Sequence, residues 1–186
     1  MKHVIIINGK PKSGKTTFEC ECVDYINENE IANSFIMSSI DPIKEIYMKL
    51  GWDGVKTAKA RKDLSVLKEM WSTNCNGPIH YIVKNIIDLP NYDDYVIFVD
   101  IREEAEIIRL RNVLKALKIL NIKCTTVFID RSNDPKYQNI EYGNKSDDFV
   151  GKIMSIYDYV ITNDKTVSKL YEKARKFIKD VVEKYE

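Results

Sequence analysis

The chain is poor in the residues that break regular structure, with 7 Gly and 5 Pro among 186 positions. That is too few for a collagen-like repeat or a linker-rich disordered chain. Charge of neither sign is in excess. The 29 Lys and Arg stand against 28 Asp and Glu, a net of +1, which excludes a broad basic face for a nucleic acid polymer or an anionic membrane. No apolar run approaches the length of a membrane-spanning helix. The short run Val4–Ile7 stops at Asn8 with no small-residue cleavage site behind it, so an export signal is not expected either. Cysteine is scarce, at positions 20, 22, 75 and 124, and its spacing makes neither a zinc site nor a disulfide framework. Reduced cysteines in a cytoplasmic protein are the expectation. The two histidines, His3 and His80, are expected to be structural. Arg is also rare, 6 against 23 Lys. Where Lys is the default cation, an Arg more often marks a position that needs a planar two-pronged donor.

What is present is a regular alternation of two periodicities. Val4-Ile5-Ile6-Ile7 is a continuous β-branched run of the kind buried on both faces of a parallel sheet. A helix is expected over about 15–28, a weaker strand at Ser34–Ser38, and a helix opened by Asp41-Pro42, with Asp41 as its cap. Helical spacing returns over 57–75, with Leu64, Leu67 and Trp71 on one face, and again after Pro78, carrying Tyr81, Ile82, Ile86 and Ile87. Tyr95–Asp100 is a second clear strand, followed by a helix over 103–120 and a strand at Thr125–Asp130. Residues 131–150 are polar and turn-rich, a loop or lid. Tyr159–Thr162 is a fifth strand. The last helix sets Val167, Leu170, Tyr171, Ala174, Phe177, Ile178, Val181, Val182 and Tyr185 at spacings of three and four, a stripe expected to lie on the core. Strands alternating with helices imply one three-layer α/β domain over 1–186, a five-stranded parallel sheet with helices on both faces.

Between the first strand and first helix stands Gly9-Lys10-Pro11-Lys12-Ser13-Gly14-Lys15-Thr16, followed by Thr17. It satisfies the phosphate-loop pattern of two glycines flanking four residues, then Lys and Ser or Thr. The glycines let the backbone wrap a polyphosphate closely, and successive N–H groups with the helix N-terminus favour negative charge. Lys15, expected on an exposed loop, is placed to bridge the terminal phosphates, and the Thr16 hydroxyl to hold Mg²⁺. This context is that of the P-loop NTP hydrolase fold. An apolar strand ending in Asp100 is the matching second element. Asp100 could share the Mg²⁺, directly or through water, or could cap the next helix.

The loop alone does not select among switches, motors and kinases. Thr162-Asn163-Asp164-Lys165 comes near the guanine-reading element of GTPases but is out of order, and the chain is short for a motor. Cations recur instead where a second phosphorylated molecule would bind: Lys44, Arg61-Lys62 and Arg102. Each has a plainer alternative. Arg61 and Lys62 could be a solvated helix start, and Arg102 could pair with Glu106 along a helix.

The P-loop Gly9–Thr16 resembles that of nucleoside monophosphate kinases. Asp100-x-Arg102-x-x-x-Glu106 is similar to a segment shared by phage-type deoxynucleoside monophosphate kinases and P-loop phosphomevalonate kinases. Pro42-Ile43-Lys44-Glu45 and Arg61-Lys62-Asp63 resemble acceptor-side segments of the latter, and Asp158–Asn163 before a long helix fits both groups. The resemblance implies a phosphotransferase with ATP as donor and Mg²⁺ as cofactor. The acceptor it implies is a (deoxy)nucleoside monophosphate or, alternatively, a phosphate ester such as phosphomevalonate. A nucleotide-binding regulatory protein with little turnover is the third possibility. It further implies an acceptor region over about 41–90. Asp41 would orient the acceptor or act as a base, and Lys44, Arg61, Lys62 and Arg102 would hold its phosphate. Arg131 would open the lid and meet transition-state charge. The expected assembly is a monomer or homodimer.

Overall fold

The computed structural model describes residues 1–55, 57–117, 121–137 and 150–183. Five strands form one all-parallel sheet: β1 (Lys2–Asn8), β2 (Asn33–Ser38), β3 (Tyr95–Asp100), β4 (Ile122–Asp130) and β5 (Tyr159–Thr162), in the order β2-β3-β1-β4-β5. Among the described residues six α-helices accompany them: α1 (Lys15–Glu28), α2 (Asp41–Lys49), α3 (Ala58–Cys75), α4 (Gly77–Asp88), α5 (Glu104–Ala116) and α6 (Val167–Val181).

The central strand shows why its sequence is uninterrupted by polar residues. Successive side chains of a strand point to opposite faces. Val4 and Ile6 enter a core with Ile82 and Ile86 of α4 and Ile107, Leu110 and Leu114 of α5. Ile5 and Ile7 enter the other core, with Phe18, Cys22 and Ile26 of α1 and Leu170, Ala174, Phe177 and Ile178 of α6. All four β1 side chains are fully buried. The chain leaves β1 toward β2 with α1 on one face. It crosses from β3 to β4 in the opposite sense with α5 on the other face, as right-handed crossovers require. The direction of winding therefore reverses around β1, and the crevice at the carboxyl ends of its strand and its neighbours is where open α/β sheets bind ligands.

Several expectations are corrected by the packing. Tyr171 of α6 and Ile87 of α4 are exposed because each lies just outside the arc its helix buries, and Val167 is exposed as the first residue of α6, although it points in the direction of the buried stripe. Asp41 is not the cap of α2. That position is held by Ile40, and the Asp41 carboxylate instead accepts the Ser38 N–H at 2.6 Å, closing the turn after β2. The helix after β3 ends its described course at Ala116, and residues 118–120 lie outside the described residues, as do 138–149 of the expected lid and Tyr185. His3 is buried and bonded to Thr125 Oγ1 at 2.8 Å, with burial holding its ring neutral at about pKa 3. All four cysteines are free thiols. Among the described residues no helix is long and apolar enough to cross a membrane.

Candidate active site

The loop between β1 and α1 is held by its own backbone and by three neighbouring elements. Gly9 approaches β4 so closely that a Cβ would lie 2.6 Å from the Ile129 carbonyl oxygen, so no other residue fits. Gly14 is left-handed at φ 97 and starts α1. A Cβ there would run into the Asn163 side-chain amide, which donates to the Ser13 carbonyl at 2.8 Å. Lys12, an L-residue, also sits in the left-handed region at φ 63. That conformation costs on the order of 1–2 kcal/mol and is kept only where the surroundings enforce it. Here Arg131 supplies part of the enforcement. Its guanidinium donates to the Lys12 carbonyl at 3.3 Å, is fixed by Asp134 at 3.0 Å and lies 3.8 Å from the centre of the Tyr137 ring. Arg131 is thus placed against the phosphate loop, at the start of the 131–150 segment. Lys10 and Lys12 are exposed, while Pro11 and Thr17 are half-buried.

Lys15 is not on an exposed loop, contrary to the sequence expectation. It is only 9% exposed, and its ammonium donates to the Gly9 carbonyl at 2.7 Å and reaches that of Lys10 at 3.4 Å. Thr16 is exposed at the first turn of α1. Asp100 closes β3 directly opposite Ile7 of β1. It does not cap α5, whose cap position is Glu103. Its Oδ1 is buried with no hydrogen-bond partner. The Oγ of Ser13, a residue 2% exposed, is likewise unpartnered. Orphaned oxygens of this kind are rare in folded proteins and call for an ion, water or ligand to complete them.

Two groups that no sequence motif marks belong to the same region. Asn8, fully buried at the end of β1, accepts the Gly9 N–H and donates to the Arg102 carbonyl at 3.1 Å and the Tyr157 hydroxyl at 2.7 Å. One amide thereby joins the phosphate loop, the Asp100-x-Arg102 segment and the chain that returns after residue 149. Glu19 of α1 is 2% exposed, and its Oε1 has no partner. Burial first, and then the nearby Asp100 charge, push its carboxyl up to about 8 against an opposing pull from Lys15. The one signal in the sequence was its spacing, four residues after Lys15 and three after Thr16, which shares a helix face with both.

The residues expected to hold an acceptor are less tightly gathered. Asp41 and Lys44 form an ion pair at 2.8 Å, so each is positioned by the other at the carboxyl end of β2. Arg61 and Lys62 are exposed on the first turn of α3, the solvated helix start that was the plainer alternative. Arg102 is exposed two residues past Asp100. Glu106, its suggested helical partner, is buried and turns to α3, meeting Lys68 at 2.8 Å and Ser72 at 3.0 Å. Lys68 also pairs with Glu103. This largely buried cluster fastens α3 to the segment behind Asp100.

No family model and no curated protein matches the chain. Solved structures do. The APS kinase CysC of Mycobacterium tuberculosis in complex with AMPPNP and APS is similar at 14% identity and a TM-score of 0.50, covering 96% of this chain and 98% of that one. The Cys556Ala mutant of the same enzyme gives 13% and 0.49, over 96% and 99%. APE1195 gives 12% and 0.47, over 97% and 96%. The chain has the P-loop NTP hydrolase fold: a five-stranded parallel sheet, helices on both faces, and a phosphate loop at the reversal point.

Proposed function

We propose that the protein is a phosphotransferase that moves the γ-phosphate of Mg-ATP to a small phosphorylated acceptor, in first place a (deoxy)nucleoside monophosphate. The observation that carries this reading is the convergence at the end of β1 of the glycine-walled loop, Lys15, Thr16 and the unpartnered Asp100 carboxylate. Residues 9–17 would take the triphosphate through backbone N–H groups. Lys15, now on two loop carbonyls, would exchange them for phosphate oxygens. Thr16 and Asp100 fit a divalent cation, since one offers an exposed hydroxyl and the other a buried oxygen without a partner. When bound, Mg²⁺ neutralises charge on the transferring phosphoryl group.

An acceptor phosphate is already anionic at neutral pH, so the protein needs no strong base and contributes position and positive charge. Arg102 is the favoured contact to that phosphate, with Lys44, Arg61 and Lys62 as further candidates. Asp41, held by Lys44 and Ser38, would orient the acceptor. Arg131 would meet charge on the nucleotide side. The APS kinase neighbour was solved with AMPPNP and APS, and the reading extends to this chain the pairing of a nucleotide with a second small molecule. ADP release, measured against a panel of nucleoside monophosphates and non-nucleotide phosphate esters, tests it. Turnover with a nucleoside monophosphate, abolished by Lys15→Ala, is expected. Tight Mg-ATP binding with no acceptor-dependent turnover would make the protein a nucleotide-binding regulator instead.

A further inference from the structure

We propose that Glu19 is a second carboxylate of the divalent-cation site, standing beside Asp100, and that the site takes up a divalent cation before any nucleotide is bound. The inference rests on the reading of Thr16 and Asp100 given above and adds to it a residue outside the phosphate-loop motif. Glu19 follows Lys15 by four residues and Thr16 by three, so its side chain leaves the first two turns of α1 between theirs. Its carboxylate is buried, as is Asp100 Oδ1, and neither Glu19 Oε1 nor Asp100 Oδ1 meets a donor. The unpartnered Ser13 Oγ, at the head of the same helix, is a third such oxygen.

A buried carboxylate without a donor is costly, and two of them near each other more so, unless a positive charge compensates. Lys15 is one cation against two acids, and its ammonium already serves two loop carbonyls. Asp100 continues the strand face of Val96 and Phe98, which packs against Phe18 and Cys22 of α1, so its carboxylate lies on the side of the sheet that the helix of Glu19 covers. Oxygen-only donors of this kind suit a hard divalent ion. Among the described residues no group of three or more His, Cys, Asp or Glu could hold a metal. The protein's own acids would supply two ligands, and hydroxyl, water and later phosphate the rest. That is the usual division for Mg²⁺ at phosphate-transfer sites.

The test uses Mn²⁺ alone, titrated onto the nucleotide-free protein, with paramagnetic broadening of the backbone amide signals as the readout. In the wild type the signals of Thr16, Glu19 and Asp100 should broaden first. Glu19→Gln should require about tenfold more Mn²⁺ or beyond, the loss typical of removing a supporting group from a metal site. Equal sensitivity of Glu19→Gln and wild type, or broadening that begins elsewhere, would overturn the proposal. Should Glu19→Gln fail to fold, Glu19→Asp carries the test, since it keeps the charge but retracts it; affinity equal to the wild type would then count against the role. No nucleotide or acceptor is present in this measurement. A protein that transfers phosphate yet ignores Mn²⁺ alone defeats this inference and leaves the kinase reading intact. One that binds Mn²⁺ through Glu19 but transfers phosphate to nothing does the reverse.

Discussion

Replacing Glu19 by Gln should make the nucleotide-free protein more stable at neutral pH, and the gain should vanish in acid. The folded protein raises the Glu19 carboxyl from an ordinary 4.5 to about 8, chiefly by burial and secondarily through Asp100. In the unfolded chain the same carboxyl ionises near 4.5, so between pH 4.5 and 8 the folded state binds the extra proton. Stability must then fall as pH rises through that window, and level off once the folded state also loses the proton. Each pH unit inside the window costs about 1.4 kcal/mol, so the loss reaches about 3 kcal/mol by pH 7 and about 5 kcal/mol above pH 8. Gln has nearly the same shape and no such linkage. Urea unfolding of both proteins in a chelator, at pH 4 and pH 7, isolates the effect because the other titrating groups cancel in the difference. The Gln variant should overtake the wild type by about 3 kcal/mol between the two pH values, to within a factor of two. A difference that stays constant from pH 4 to pH 7 would mean that Glu19 is already ionised and compensated in the folded protein, and the account of its surroundings would be wrong.

Three further outcomes are expected. Lys68→Met strands the buried Glu106 carboxylate and should cost about 3–5 kcal/mol in urea unfolding, whereas Lys68→Met with Glu106→Leu should recover most of it; equal losses would show that the pair is not what fastens α3. Gly14→Ala forces an L-residue to φ 97 and drives its Cβ into the Asn163 amide, so Mg-ATP binding by calorimetry should be lost. Asn163→Ala should restore part of it, and no restoration would place the whole penalty in the backbone. Arg102→Lys should lower kcat/KM for the acceptor by about tenfold or more, and full activity would remove the two-pronged contact assigned to that guanidinium.

What could be read in advance follows from periodicity. The run Val4–Ile7 could belong only to a strand covered on both sides, and the structure divides it between two cores as alternation demands. The helix predicted at 15–28 has those bounds because Gly14 ends the loop in a left-handed turn and the polar pair Asn29-Glu30 ends the helix. The stripe on α6 was legible in its middle and wrong at Tyr171, beside the buried arc, and at Val167, the first residue of the helix, since spacing gives the direction of a face but neither its width nor how far along the helix it is covered.

The sequence by itself determined the phosphate loop, the strand that ends in Asp100 and the alternating architecture, because each is a local pattern whose chemistry needs particular residues at fixed intervals. Only the tertiary structure decided the rest of the site. Glu19 reads as an ordinary helix-surface acid until α1 is laid on the sheet beside β3, where burial and Asp100 change its protonation. Asn8 is one polar residue after an apolar run until its amide is found joining three segments up to 149 positions apart. Arg61 and Lys62 looked like partners of Arg102, yet they stand in solvent, while the neighbouring Lys68 is drawn into a buried ion pair. The physical reason is common to all of them. Motif spacing fixes which atoms lie together along the chain, whereas burial and long-range pairing fix what those atoms cost and what they can hold.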